Sequence, residues 1–181
     1  MEIIKLIALL LGTALIFISC SANAQPSLSY QEKSFRAQIC WQVDDLNITA
    51  MFTSLYVPDN TSGKKKTVKL EFISPSSLED ICIQKDNGDP CIYFDGLEIT
   101  SPFVSRLLGI SDLFDINATV TQSTLKELEG KKFNYIEAIS SSGEEYALYL
   151  FSESGLPRRI CGNVNGAPCT LDIISFELID N

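Results

Sequence analysis

Apolar and polar residues alternate with a period of two through the first half of the chain. From Phe35 to Val43 the odd-numbered positions are apolar, whereas Arg36, Gln38 and other polar residues fill most even-numbered positions. Successive side chains of a strand point to opposite faces, so this segment predicts a strand with one buried face. The same alternation over residues 46–57 and 67–73 predicts two more strands of an antiparallel sheet with one solvated face.

Short turn sequences divide much of the remaining chain into further strands. Asp-Asn-Gly-Asp at 86–89 separates apolar segments 81–83 and 91–94, which predicts a hairpin. Asp95-Gly96 then precedes a short strand at 97–99. Glycine-bearing turns join a second run of strands, which predicts a meander of neighbours. These later strands are predicted at 132–140, 144–152, 157–161 and 169–179.

The alternation stops from residue 101 to residue 128, where we expect helices instead of strands. Ser101-Pro102 favours a helix start, and apolar residues at 103, 104, 107 and 108 follow at helical spacing. A second helical piece is expected at 111–114. The sequence therefore predicts one α+β domain, mostly β, with nine or ten strands and a helical insert.

The first 24 residues have the pattern of an export signal. Lys5 precedes an apolar run from Leu6 to Ile18 that is too short to span a bilayer well. Cys20 follows this run as in a bacterial lipobox, which predicts cleavage before an acylated thiol. The alternative is the A-x-A site at 22–24, which gives a secreted soluble protein that begins at Gln25. Residues 25–33 then form a tether and residues 34–181 a single domain.

Composition excludes several function classes. The 181 residues carry a formal net charge of −9 and no histidine. The acidic balance argues against nucleic-acid binding, and the missing histidine removes His-ligated zinc and His-dependent nucleophiles. The paired carboxylates at 44–45, 79–80 and 144–145 are adjacent, so on a strand they point to opposite faces and do not form a glycosidase pair. We predict a protein without catalysis, metal site or cofactor.

Two similar turns suggest a use for four cysteines. Residues 87–91 and 165–169 share an Asn-Gly-x-Pro-Cys pattern, and another cysteine precedes each turn. Thiols that flank a tight turn in an exported chain favour cross-strand disulfides, with reduced cysteines as the alternative. Cys40 has no partner in this scheme. The predicted disulfides are Cys82 with Cys91 and Cys161 with Cys169.

Three segments resemble a known group of envelope proteins. They are residues 68–75 followed by Leu78, residues 91–97, and residues 146–151 with Gly-Leu-Pro at 155–157. They look like the extended sheet, the aromatic-Asp-Gly turn and the late hairpin of the LolA/LolB/LppX-like carriers, which include related germination lipoproteins. The resemblance implies a strongly curved antiparallel sheet, an incomplete barrel covered by short helices, and non-catalytic binding of acyl chains, lipid-modified proteins or envelope partner proteins.

The apolar stripe that recurs through successive strands gives the same expectation for function. We predict that the concave face of the sheet binds an apolar ligand or a partner's hydrophobic segment, in a protein anchored outside the cytoplasm through Cys20. The alternatives are a face filled as an ordinary core, a secreted β-sandwich for adhesion or structure, and a hydrolase with distant carboxylates. The predicted ligand-facing residues are Ile39, Trp41, Phe52, Leu70, Phe72, Phe94, Leu148 and Leu150.

Overall fold

The computed structural model describes residues 28–43, 45–59, 63–86, 90–100, 104, 108–114, 118–140 and 142–179. The predicted leader, with Cys20 in it, and most of the predicted helix at 101–108 lie outside the described residues. Within the described part of the chain, no helix is long and apolar enough to cross a membrane.

Eleven strands and two short helical segments make up the described structure. The helical segments are the 3-10 helix η1 (Ser29–Glu32) and the helix α1 (Ile110–Phe114). The strands are β1 (Ser34–Val43), β2 (Leu46–Asp59), β3 (Gly63–Ser74), β4 (Cys82–Lys85), β5 (Cys91–Phe94), β6 (Leu97–Thr100), β7 (Ala118–Leu128), β8 (Lys131–Ser140), β9 (Glu145–Leu150), β10 (Pro157–Val164) and β11 (Ala167–Ile179).

All eleven strands belong to one antiparallel sheet, in the order β6-β5-β4-β3-β2-β1-β11-β10-β9-β8-β7. Two meanders, β1 to β6 and β7 to β11, lie side by side and are joined by the pairing of β1 with β11. The β-sandwich alternative is wrong, because every described strand is hydrogen-bonded within a single sheet. β6 and β7 form its two edges.

The strands of both predicted runs and the hairpin of β4 and β5 are confirmed, as is the helical piece at α1. The expectation that no strand occurs between 101 and 128 is wrong, because β7 fills residues 118–128. Most β7 side chains are exposed, and threonines at 119, 121 and 124 interrupt any apolar face. An edge strand that buries little of either face has no period-two signal to detect.

Aromatic side chains pack the middle of one face of the sheet, which we call the inner face. The Phe114 ring of α1 stacks on Phe52 at a centroid distance of 4.5 Å and lies 5.4 Å from Phe35. Tyr30 of η1 meets Phe35 and Phe176 edge to face at 6.2 and 5.7 Å. The two helical segments thus contact the inner face along the N-terminal half of β1. The inner face is arranged differently along the C-terminal half of β1.

Contacts from α1 indicate that the sheet bends toward its inner face. Phe114 stacks on Phe52 of β2, while the adjacent Leu113 lies so close to Gly162 of β10 that a Cβ there would sit 2.8 Å from its Cδ2 atom. β2 and β10 are three strand spacings apart, about 14 Å in a flat sheet. Two neighbouring side chains of a one-turn helix reach both strands, which is consistent with a sheet that curves around α1.

Candidate functional site

A cavity of about 600 Å³ lies at the end of the inner face where β1 ends and β11 begins. Strands from both meanders and the first residue of α1 contribute to its wall. The lining residues are Trp41, Gln42, Val43, Ile48, Phe72, Leu78, Ile81, Ile83, Ile92, Ile110, Val164, Asn165, Ala167, Pro168 and Cys169.

The deep part of the cavity is apolar. Trp41 and Phe72 lie next to each other, with ring centroids 6.3 Å apart and planes at 50°. Trp41 is 7% exposed, and Ile48, Ile83 and Ile110 beside it are also buried. Among the described residues, the lining contains no aspartate, glutamate, lysine or arginine. Such a wall binds apolar groups by removing them from water.

Two turns form the mouth of the cavity. Gln42 and Val43 lie at the end of β1, and Ala167 and Pro168 lie at the start of β11; all four are exposed. In the β10–β11 turn, Asn165 and Gly166 have φ angles of 53° and 80°. A two-residue hairpin turn of the I′ type requires positive φ at both positions, which explains why Asn-Gly occurs there. The turn therefore fixes one lip of the opening.

The predicted ligand-facing residues separate into three groups in the structure. Trp41 and Phe72 line the cavity. Phe94 is 47% exposed on β5 and is not part of the lining. The other five are at most 1% exposed and belong to the packed core that continues behind and beside the cavity. These core residues are Ile39, Phe52, Leu70, Leu148 and Leu150.

Several lining residues were not found by sequence reasoning. Leu78 lies in the irregular segment between β3 and β4, where no periodicity exists to assign it a face, whereas Ile81 was predicted to begin a strand and lies just before β4. Ile110 begins a helix of one turn, and Val164 ends β10 three residues beyond the predicted strand. The one sequence feature that predicted part of this wall was the turn at 165–166, because it places the ends of β10 and β11 together.

No disulfide joins any of the five described cysteines in the structure. Cys161 is opposite Thr170 and Cys169 is opposite Gly162, so these two thiols lie on different faces of the sheet. Cys82 is opposite Tyr93, which makes Cys91 its diagonal neighbour two residues away. Diagonal Cα atoms are about 7 to 8 Å apart, beyond the usual reach of a disulfide.

One of these cysteines, Cys169, lines the cavity instead. Burial raises the pKa of Cys169, and the nearby Cys161 acts in the same direction. The thiol is therefore protonated near neutral pH, and it adds a weakly polar, uncharged surface to the lining. Among the described residues, no group of three or more His, Cys, Asp or Glu side chains is placed to hold a metal ion.

No family model and no curated protein matches the sequence. Solved structures do match the fold. An uncharacterised conserved protein from Thermus thermophilus is 12% identical, with 86% of this chain and 85% of that chain covered and a TM-score of 0.51.

Two further matches carry names from the group that the sequence resembles. A putative outer membrane lipoprotein-sorting protein domain from Vibrio parahaemolyticus is 12% identical, with coverage of 86% and 93% and a TM-score of 0.48. A LolA superfamily protein from Nitrosomonas europaea is 12% identical, with coverage of 82% and 87% and a TM-score of 0.40. Both are likenesses of fold, and at this identity they extend no further.

Proposed function

We propose that this protein is an exported, non-catalytic binding protein that holds an apolar chain in the cavity at the end of the inner face. The observation that carries the proposal is the cavity itself, about 600 Å³ in volume, apolar in its depth and open between two turns. Small-molecule sites typically have about 300 to 1,000 Å³ and a mostly hydrophobic lining. An acyl chain, free or attached to a lipid or protein, has the matching shape and chemistry.

Burial of methylene groups supplies the free energy of binding. Each buried methylene contributes about 0.8 kcal/mol, so ten of them contribute about 8 kcal/mol before the cost of association is subtracted. Subtracting about 4 kcal/mol, the low end of that cost, leaves about 4 kcal/mol, which corresponds to affinity near millimolar for a chain of this length. Binding in this range is reversible, as a carrier requires.

Within this proposal, Trp41 and Phe72 are the side chains that contact the bound chain. Their rings form one continuous wall, 6.3 Å apart, in the deep part of the cavity. Non-catalytic binding is supported by the described lining residues, among which the Cys169 thiol is the only ionisable side chain and burial keeps it protonated. An apolar pocket without an acid, a base or an activated nucleophile favours capture over chemistry.

Export and anchoring form the second part of the proposal. The leader directs the chain out of the cytoplasm, and acylation of Cys20 attaches it to the outer side of a membrane through the tether at 25–33. We expect Cys20→Ser to move the protein from the membrane fraction to the soluble fraction. An unchanged distribution, with an N-terminus at Gln25 by mass spectrometry, would contradict the anchor.

Binding is tested with N-phenylnaphthylamine, an uncharged apolar dye whose emission rises when it leaves water. We expect saturable binding of one dye per chain. Phe72→Asn should weaken the affinity about tenfold, because it places an unpaired amide in the apolar wall. Phe94→Asn is the matched control, since it makes the same chemical change at an exposed position outside the lining.

Thermal melting of both variants separates lost binding from lost folding, because a large-to-small change at a partly buried ring also lowers stability. The proposal fails if the wild-type protein shows no saturable binding. It also fails if Phe94→Asn weakens binding as much as Phe72→Asn while both variants remain folded.

A further inference from the structure

The charged residues around the cavity indicate which kind of polar head group the ligand carries. We propose that the cavity selects an amphiphile whose apolar chain ends in a positively charged group. This inference rests on the proposed function, because it concerns the same cavity and specifies which apolar chains enter it.

Three of the chain segments that line the cavity together carry acidic residues and no basic ones. Residues 41–48 contain Asp44 and Asp45, residues 72–83 contain Glu79 and Asp80, and residues 164–169 contain neither acids nor bases. No lysine or arginine occurs in any of the three segments. In these three segments the charge next to the lining is therefore all negative, although the described lining residues themselves are uncharged.

Three of these carboxylates lie in exposed connections next to lining residues. Asp45 is exposed in the turn that follows the lining residues 42 and 43. Glu79 and Asp80 are exposed between the lining residues Leu78 and Ile81. Antiparallel pairing of β1, β2 and β3 brings these connections to the same end of the sheet, since Trp41 is opposite Ile48 and Thr49 is opposite Ser74. We call Asp45, Glu79 and Asp80 the acidic rim.

Four basic side chains elsewhere pair with other carboxylates. Among the described residues, the recorded ion pairs join Lys69 to Glu71, Lys126 to Glu137, and Arg158 and Arg159 to Glu129 and Asp172. Lys85 is on the inner face, but it is opposite Val68, one row beyond Ile83 and away from the mouth. The negative charge of the acidic rim is therefore not balanced by these pairs.

A bound amphiphile must place its polar end at this rim. The described residues in the depth of the cavity offer no charged partner, so burial of a head group among them would cost far more than the chain gains. The head group stays at the mouth, where an anion meets like charges and a cation meets opposite charges. The exposed rim is screened by salt, so the preference is largest at low ionic strength.

The size of the cavity favours a single-chain amphiphile over a folded peptide segment. An α-helix with its side chains is about 10 Å wide, and even two turns of it would exceed about 600 Å³. A basic apolar peptide is accordingly one of the competitors in the test and not the proposed ligand.

Displacement of bound N-phenylnaphthylamine tests the charge preference. Dodecyltrimethylammonium and dodecanoate carry the same chain with opposite charge, and both are used below the concentrations at which they form micelles. At low salt we expect the ammonium compound to displace the dye at about one tenth of the dodecanoate concentration. At about 0.5 M salt the ratio should fall to about two.

A triple variant of the acidic rim locates the origin of the preference. Asp45→Asn, Glu79→Gln and Asp80→Asn together should leave dye binding unchanged and reduce the low-salt ratio to about two. Asparagine suits position 80, where φ is 72°. The control combines Glu98→Gln, Glu127→Gln and Glu153→Gln, which changes net charge equally at exposed positions outside the lining and should keep the tenfold ratio.

The outcomes separate this inference from the proposed function. If the dye binds but dodecanoate displaces it as well as the ammonium compound does, charge selection is wrong and apolar binding stands. The same holds if the control triple variant loses the preference equally, because net charge is then responsible. If a basic apolar peptide competes and the ammonium compound does not, the ligand is a protein segment. If the dye does not bind at all, both proposals fail.

Discussion

At the scale of single residues, the register of a hairpin decides what its side chains can do. The sequence turns correctly predicted that the ends of β10 and β11 lie together, yet the two-residue turn places Val164 opposite Ala167 and therefore Cys161 opposite Thr170. A shift by one residue moves a side chain to the other face. The sequence shows that a turn is present but not which residues of its two strands are paired. Cys169, which was expected to form a disulfide, therefore lines the cavity instead.

Two buried tyrosines give the molecule a pH dependence at high pH. Burial raises the pKa of Tyr135 and of Tyr146 to about 12, and each phenol also donates a hydrogen bond to a carboxylate, Glu137 at 2.8 Å and Glu144 at 3.0 Å. Tyrosine in the unfolded chain titrates near 10. Between about pH 10 and 12 the unfolded state therefore loses protons that the folded state retains, and stability falls.

We expect the free energy of unfolding to be constant with respect to these two groups below about pH 10 and to decrease as pH rises to about 12. Urea titrations at several pH values measure this decrease. Replacing both residues, Tyr135→Phe and Tyr146→Phe, should make it shallower. An equally steep decrease in the double variant would show that other groups cause the alkaline loss.

At the scale of elements, periodicity predicted the strands that bury one face and missed the strand that buries neither. β1 alternates clearly because Phe35, Ala37, Ile39 and Trp41 are all buried on the inner face. β7 is an edge strand with mostly exposed side chains, so its sequence resembles a polar loop. The short helix α1 was predicted, but its position against β2 and β10 depends on contacts between distant parts of the chain.

Packing of α1 against β10 is tested at Gly162. An added Cβ would lie 2.8 Å from Leu113 Cδ2 and 2.8 Å from Tyr146 Cδ1, closer than van der Waals contact allows. We expect Gly162→Ala to lower the free energy of unfolding by about 1 to 3 kcal/mol in urea titrations. In a Leu113→Ala background the same substitution should cost less, because half of the conflict is removed. Equal costs in both backgrounds would mean that α1 does not press on this strand.

At the scale of the whole molecule, the cavity arises where two meanders meet. The sheet and its apolar face were predictable, since they depend on alternation within each strand. The cavity was not, because irregular segments, a turn and one residue of α1 complete its wall. Phe94 illustrates the difference: it is apolar and on the expected face, but it lies near the sheet edge and outside the lining.

The position of a bound apolar ligand decides whether the cavity beside Trp41 is the binding site. Trp41 is the only tryptophan in the sequence, and it lines the cavity. Excitation of Trp41 during the titration with N-phenylnaphthylamine measures energy transfer between indole and dye. We expect Trp41 emission to fall in proportion to occupancy, with saturation at one dye per chain and a matching rise in dye emission. Saturable binding that leaves Trp41 emission unchanged would place the ligand elsewhere on the molecule and contradict the proposed site.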